Sequence, residues 1–113
     1  HRALAQAIEN VVRNACKYTP AGGTVMIRLQ EEAGGYRLSV EDDGPGVPAE
    51  QLEAIFRPFF RATRIRESVP SGHGLGLALA SRHLDAIGGR IRACNLAGNG
   101  GLAMHLWLPA VRM

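Results

Sequence analysis

Apolar spacing along this chain switches between helical and strand periods in a fixed order, and that order leaves few folds open. In residues 3–18, Leu4, Ala7, Ile8, Val11, Val12 and Ala15 recur every three or four positions, the spacing of a helix with one buried face. Thr19 and Pro20 end it, because proline disfavours helical backbone in the residue before it. Residues 24–29 then alternate, with Val25, Ile27 and Leu29 on one side and Met26 and Arg28 on the other. Gly34 and Gly35 make a tight reversal into a second strand at 36–41, so the pair predicts an antiparallel hairpin. Asp42 to Gly46 is a loop, and Pro48 suits the first turn of a short helix reaching about Phe56. A helix at 75–87 closes at Gly88 and Gly89, the expected place for a C-terminal cap, and strands at 90–95 and 102–108 flank the turn 97–101. Helix, two strands, short helix, helix and two strands predict an α+β chain. The architecture is a two-layer α/β sandwich, its helices on one face of a mixed, mostly antiparallel sheet.

A chain of 113 residues supports one such core, so 1–113 is read as a single domain. Periodicity is lost between 57 and 74, and a connection of that length without its own structure is read as a lid. The net charge of +3 is mild, and basic residues are scattered among acids except at Arg57, Arg61, Arg64 and Arg66. That cluster suits a polyanion, but without aromatic interleaving or a basic stripe it does not indicate nucleic acid. Cys16 and Cys94 have no metal-ligand spacing and are read as two reduced, buried thiols of a cytoplasmic protein. No signal peptide is seen, and no apolar run approaches a membrane span. The opening on His1, with helical spacing at once, is read as a fragment of a longer protein.

Three segments carry candidate chemistry. In Gly72-His73-Gly74-Leu75-Gly76, alternating glycines run into a helix, so loop N–H groups and the helix's positive end can point at an anion. The alternative is a glycine turn that lets a helix pack closely. Asn10, Asn14, Lys17 and Tyr18 share one helical face. That stripe is either a solvated outer face or a functional one, since Asn is a mediocre helix former. An amide oxygen can coordinate Mg²⁺ beside phosphate oxygens and water, and Lys17 can neutralise a phosphate. Asp42, at the end of a hydrophobic strand, is either a turn acid or an acceptor for an exocyclic amine. As an acceptor it contributes roughly 1.5 to 3 kcal/mol and favours adenine over guanine. Gly44 and Gly46 would let a flat base lie against the backbone, and Asp43 is read as a solvated neighbour.

Together these segments resemble the ATP-binding catalytic domain of two-component sensor histidine kinases, within the superfamily that includes gyrase, Hsp90 and MutL and shares the Bergerat-type fold. Asn10-Val11-Val12-Arg13-Asn14-Ala15 with Lys17-Tyr18 resembles the N box, and Asp42-Asp43-Gly44-Pro45-Gly46-Val47 the G1 box. Ile55-Phe56-Arg57-Pro58-Phe59-Phe60-Arg61 resembles the F box, and Gly72 to Ala78 the G2 box. The wording of the N and F boxes and the Trp107-Leu108-Pro109 ending lean toward envelope-stress sensors of Gram-negative bacteria.

The resemblance implies ATP and Mg²⁺ as cofactors, with Asn14 as metal ligand and Asn10, Asn14, Lys17 and Arg61 serving phosphoryl transfer. It places Tyr18 by the base or ribose, Asp42 on the adenine amine, and Gly44, Gly46 and Val47 around the base. Gly72, His73, Gly74, Leu75 and Gly76 hold the phosphate tail, with a solvated loop residue as the favoured alternative for His73, and Phe56 and Phe59 anchor the lid. Implied partners are a phosphoacceptor and dimerisation domain of the same homodimeric protein and a downstream response regulator. The implied setting is the cytoplasmic side of an inner-membrane sensor. In the superfamily's ATP-hydrolysing members a Glu stands four residues before the metal-binding Asn, where this chain has Asn10, and Glu9 lies about 100° round the helix. That favours transfer to a protein histidine over hydrolysis. An anti-sigma-type protein serine kinase and a non-catalytic nucleotide-sensing domain are the other readings. The resemblance also implies a strand before the first helix that this chain lacks, leaving a sheet edge open. His1 lacks the context of a phosphoacceptor, and His83 and His105 are read as structural.

Overall fold

A computed structural model describes residues 2–32, 34–58, 76–96 and 100–110. Helix α1 spans Arg2–Tyr18, strands β1 and β2 span Val25–Glu32 and Gly35–Asp42, helix α2 spans Gly76–Ala86, and β3 and β4 span Arg90–Asn95 and Leu102–Pro109. Each predicted helix and strand is present within a few residues, apart from the short helix. That segment forms two separate 3-10 turns, Ala49–Gln51 and Ala54–Phe56. It has no side-chain cap at Pro48 and is too short to sustain α-helical bonds, so it closes by i to i+3 bonds such as Gln51 N–H to Pro48 O at 2.8 Å. Of the expected lid only Arg57 and Pro58 fall within the described residues.

The sheet runs β1-β2-β4-β3, and every described pairing is antiparallel. Register aligns Ile27, Val40, Met104 and Ala93 in one row, and Leu29, Leu38, Leu106 and Ile91 in the next. Both helices pack on that face: α1 lies against β2, α2 against β3, and the helices against each other. Ala7, Val11 and Ala15 of α1 and Ala80 and Leu84 of α2 complete the core with Leu102, Met104 and Leu106. Each large buried side chain contributes about 1.5 to 3 kcal/mol of burial free energy. The helical layer stops short of β1, so Ile27 and Leu29 remain 51% and 63% exposed although they face the core side.

Helix α2 closes as its glycines predict. Gly88 takes a φ of +81°, a region costly for side-chain-bearing residues, and Gly89 N–H donates to Leu84 O at 2.8 Å. The expectation of buried thiols is wrong, since both cysteines are exposed. Cys16 follows buried Ala15 and so points off the inner face of α1, and Cys94 follows half-buried Ala93 and so points off the inner face of β3.

Candidate nucleotide site

Asp42 is the last residue of β2, and strand alternation puts its side chain on the core side with Leu38 and Val40. It is only 2% exposed. A buried carboxylate is costly unless hydrogen-bonded. Here Oδ1 accepts from the N–H of Gly44 at 2.9 Å and of Leu102 at 3.3 Å. The first bond is a local Asx turn that bends the chain out of β2, and the second ties the turn to the start of β4.

The loop that follows is pressed against its surroundings at both of its glycines. A Cβ on Gly44 would stand 2.6 Å from the Tyr18 carbonyl oxygen at the end of α1, and one on Gly46 would stand 2.4 Å from Asn95 Oδ1. Gly101, at φ +98°, would bring its Cβ to 2.4 Å from Asp42 O. The directions in which side chains would extend at Gly44 and Gly46 are therefore filled by the protein itself. Close protein packing accounts for these glycines, alongside any role in admitting a base.

Asn95, at the end of β3, is a site residue that the sequence reading missed. Its Oδ1 accepts from Val47 N–H at 2.9 Å, and its Nδ2 donates to Val47 O at 2.6 Å. One side chain thus satisfies both backbone groups of Val47, which is itself buried. The available signal was alternation, since residues 91, 93 and 95 share a strand face and the last of them is polar. Asp43, expected as a solvated neighbour, is exposed but also accepts from Thr24 N–H at 2.8 Å, tying the approach to β1 to this loop.

On α1, Asn10 and Asn14 are half-buried beside the stripe of Ala7, Val11 and Ala15. They are not on the solvated face, which is carried by the exposed ion pair of Glu9 and Arg13. Tyr18 is half-buried, and Lys17 is exposed with Nζ 5.8 Å from the Tyr18 ring centroid. The stripe therefore runs along α1 toward the end on which Gly44 rests. Gly76 opens α2, and no atom of the described residues lies within 4 Å of where its Cβ would be. Arg61, Gly72, His73, Gly74 and Leu75 lie outside the described residues.

Among the described residues no group of three or more His, Cys, Asp or Glu could hold a metal ion. Amides on α1 fit a different donor set, in which Mg²⁺ takes one protein oxygen and completes its shell with phosphate oxygens and water. Among the described residues no helix is long and apolar enough to cross a membrane.

Comparison with known proteins agrees with this fold. The family model described as histidine kinase-, DNA gyrase B-, and HSP90-like ATPase matches residues 1–112. Sensor protein PfeS of Pseudomonas aeruginosa is 47% identical over 107 residues, which cover 95% of this chain and 23% of that protein. Sensor histidine kinase CpxA of Escherichia coli K12 is 39% identical over the same length, again covering 95% and 23%. The chain thus spans about a quarter of these curated relatives. Among solved structures, the mycobacterial sensor histidine kinase MprB superposes with a TM-score of 0.86 at 36% identity, covering 99% of this chain and 75% of that one. Full-length ShkA in complex with AMPPNP superposes with a TM-score of 0.75 at 32% identity, covering 97% of this chain and 22% of that one. A buried aspartate closing a glycine loop against an asparagine-bearing helix, on a fold shared with these kinases, places this chain in the family of histidine kinase-, DNA gyrase B- and HSP90-like ATPases.

Proposed function

We propose that this domain binds Mg-ATP and passes its γ-phosphoryl group to a histidine on a separate phosphoacceptor and dimerisation domain of the same protein, the first step of two-component signalling. The observation that carries the reading is Asp42, a carboxylate 2% exposed and oriented by two backbone N–H groups. The AMPPNP complex of ShkA supports a nucleotide for this fold.

In this reading Asp42 accepts a hydrogen bond from the adenine amino group, and Gly44, Gly46 and Val47 form the wall beside the base. Tyr18 packs by the base or ribose. Asn10, Asn14 and Lys17 face the phosphates, where the Lys17 ammonium offsets their charge. The backbone from Gly72 through His73, Gly74 and Leu75 to Gly76 holds the phosphate tail, and Arg61 reaches the γ-phosphate. Asn14 is the protein ligand for Mg²⁺, which when bound draws negative charge from the phosphoryl oxygens. Catalysis of phosphoryl transfer is chiefly positioning and charge neutralisation, and these residues supply both.

Transfer rather than hydrolysis is supported on α1. Asn10 stands four residues before Asn14, and the carboxylate of Glu9 pairs with Arg13 on the exposed side. A histidine acceptor brings its own lone pair and requires no base of that kind. Full-length dimerisation, a response regulator and a cytoplasmic position at an inner membrane belong to the same proposal, which the sensor proteins PfeS and CpxA support by likeness.

The test supplies γ-labelled ATP and Mg²⁺ with the histidine-bearing domain of the full-length protein. Acid-labile label on that domain is the expected result. Acid-stable label indicates a serine kinase, and tight nucleotide binding with no label indicates a sensing domain; either overturns the histidine kinase reading.

A further inference from the structure

The sheet face turned away from α1 and α2 carries a line of three reactive side chains. Alternation puts Ser39, His105 and Cys94 on that face, because their strand neighbours Leu38, Val40, Met104, Leu106 and Ala93 turn toward the helices. Ser39 Oγ lies 2.9 Å from His105 Nδ1, and Cys94 Sγ lies 3.6 Å from His105 Nε2. Ser39 is 3% exposed, whereas Cys94, on edge strand β3, is open to solvent. One ring nitrogen is thus anchored by a buried hydroxyl, and the other is aimed at an accessible thiol.

We propose that Cys94 is a reactive thiol served by His105 as its base and oriented through Ser39, and that it forms mixed disulfides with low-molecular-weight disulfides. The thiolate is the attacking form of cysteine, so a neighbouring proton acceptor sets how readily it reacts. In the step, the Cys94 S–H bond breaks and its proton passes to His105 Nε2. The sulfur electron pair attacks one sulfur of the disulfide, the S–S bond breaks, and the departing thiolate takes up the proton. The ring is satisfied while it carries that proton, with Nδ1–H donating to Ser39 Oγ and Nε2–H to sulfur.

The surroundings suit a base that is unprotonated at neutral pH. Burial, and then the Arg37 guanidinium, hold the His105 imidazole below its ordinary value of 6.5, against the opposing pull of Glu41 and Glu32. The same face also carries Arg28 of β1 and Arg92 of β3, in register with Ser39 and His105 respectively, while Arg90 stacks over the Trp107 ring at 5.0 Å. Arg92 is two residues from Cys94 on the same strand face.

The other cysteine provides an internal reference, since Cys16 is also exposed. Alkylation by iodoacetamide and mixed-disulfide formation with oxidised glutathione are followed by mass spectrometry on the chain carrying Cys16→Ser, and on the chain carrying Cys94→Ser. Cys94 is expected to react on the order of tenfold faster than Cys16 at neutral pH. His105→Gln should remove that advantage, along with a limb of the pH–rate profile in the range where His105 titrates. Thermal melts confirm that the variant is folded, and the pH profile of the unsubstituted histidine gives a second readout. Equal rates and parallel profiles for the two thiols, or an unchanged Cys94 rate in folded His105→Gln, overturn the proposal.

Discussion

Replacing Asp42 by Asn exchanges one carboxylate oxygen for an amide NH₂ and removes the charge without changing the shape. The remaining oxygen can still accept from Gly44 N–H and Leu102 N–H, now 2.9 and 3.3 Å from Oδ1, so the turn out of β2 should persist. What changes is the other half of the group. Under the proposed assignment a donor then faces the adenine amine, and a charge-assisted hydrogen bond of about 1.5 to 3 kcal/mol is lost. At about 1.4 kcal/mol per tenfold, nucleotide affinity should fall roughly 10- to 100-fold, and preference for adenine over guanine should narrow. Asp42→Ala is the poorer probe, because it leaves two buried N–H groups without an acceptor at about 1 to 3 kcal/mol each and so mixes folding with recognition. Calorimetric titration with ADP and Mg²⁺, alongside melts of the ligand-free protein, separates the two effects. A folded Asp42→Asn protein that binds ADP within about twofold of the parent would refute the assignment of Asp42 to the base.

Other outcomes follow from the packing around this loop. Asn95→Ala removes both bonds to Val47 and should cost about 1 to 3 kcal/mol, seen as a lower Tm and faster hydrogen exchange at the Val47 amide. Gly101→Ala combines a φ of +98° with a Cβ only 2.4 Å from Asp42 O, and should destabilise by more than about 1 kcal/mol in denaturant titrations. Leu84→Ala empties a fully buried position in α2 and should cost about 3 to 5 kcal/mol by the same assay. The lowered pKa of His105 means the folded chain binds fewer protons than the unfolded one as pH falls through 6.5. Stability should therefore be fully retained above that pH and decline below it, and pH-dependent melts should show this component disappearing in His105→Gln.

The elements of this fold were legible because helix and strand periods are local. Leu4 to Ala15 announced α1, Gly34 and Gly35 announced the hairpin, and Gly88 and Gly89 announced the end of α2, each from residues within a few positions. The short helix after Pro48 was misread, since propensity alone does not report that an uncapped two-turn segment will close as separate 3-10 turns. Asp42 and the Asn10, Asn14 stripe were also nominated from sequence, by their residue types at the ends and faces of predicted elements.

Local patterns specify which residues turn inward along a strand or helix, but not what they meet. Asn95 clasping Val47, 48 positions away, depends on β3 lying beside β4 in the order β1-β2-β4-β3. The same order aligns Ser39 with His105, 66 positions on, and His105 with Cys94. It also leaves Ile27 and Leu29 uncovered at the β1 edge, because α1 and α2 lie over the other strands. The identity of the glycines at Gly44 and Gly46 was visible from the chain, whereas their close approach to Tyr18 and Asn95 was settled only when helix, loop and sheet packed together. Periodicity acts over a few residues; contacts between distant segments arise from strand order and from which face the helices cover.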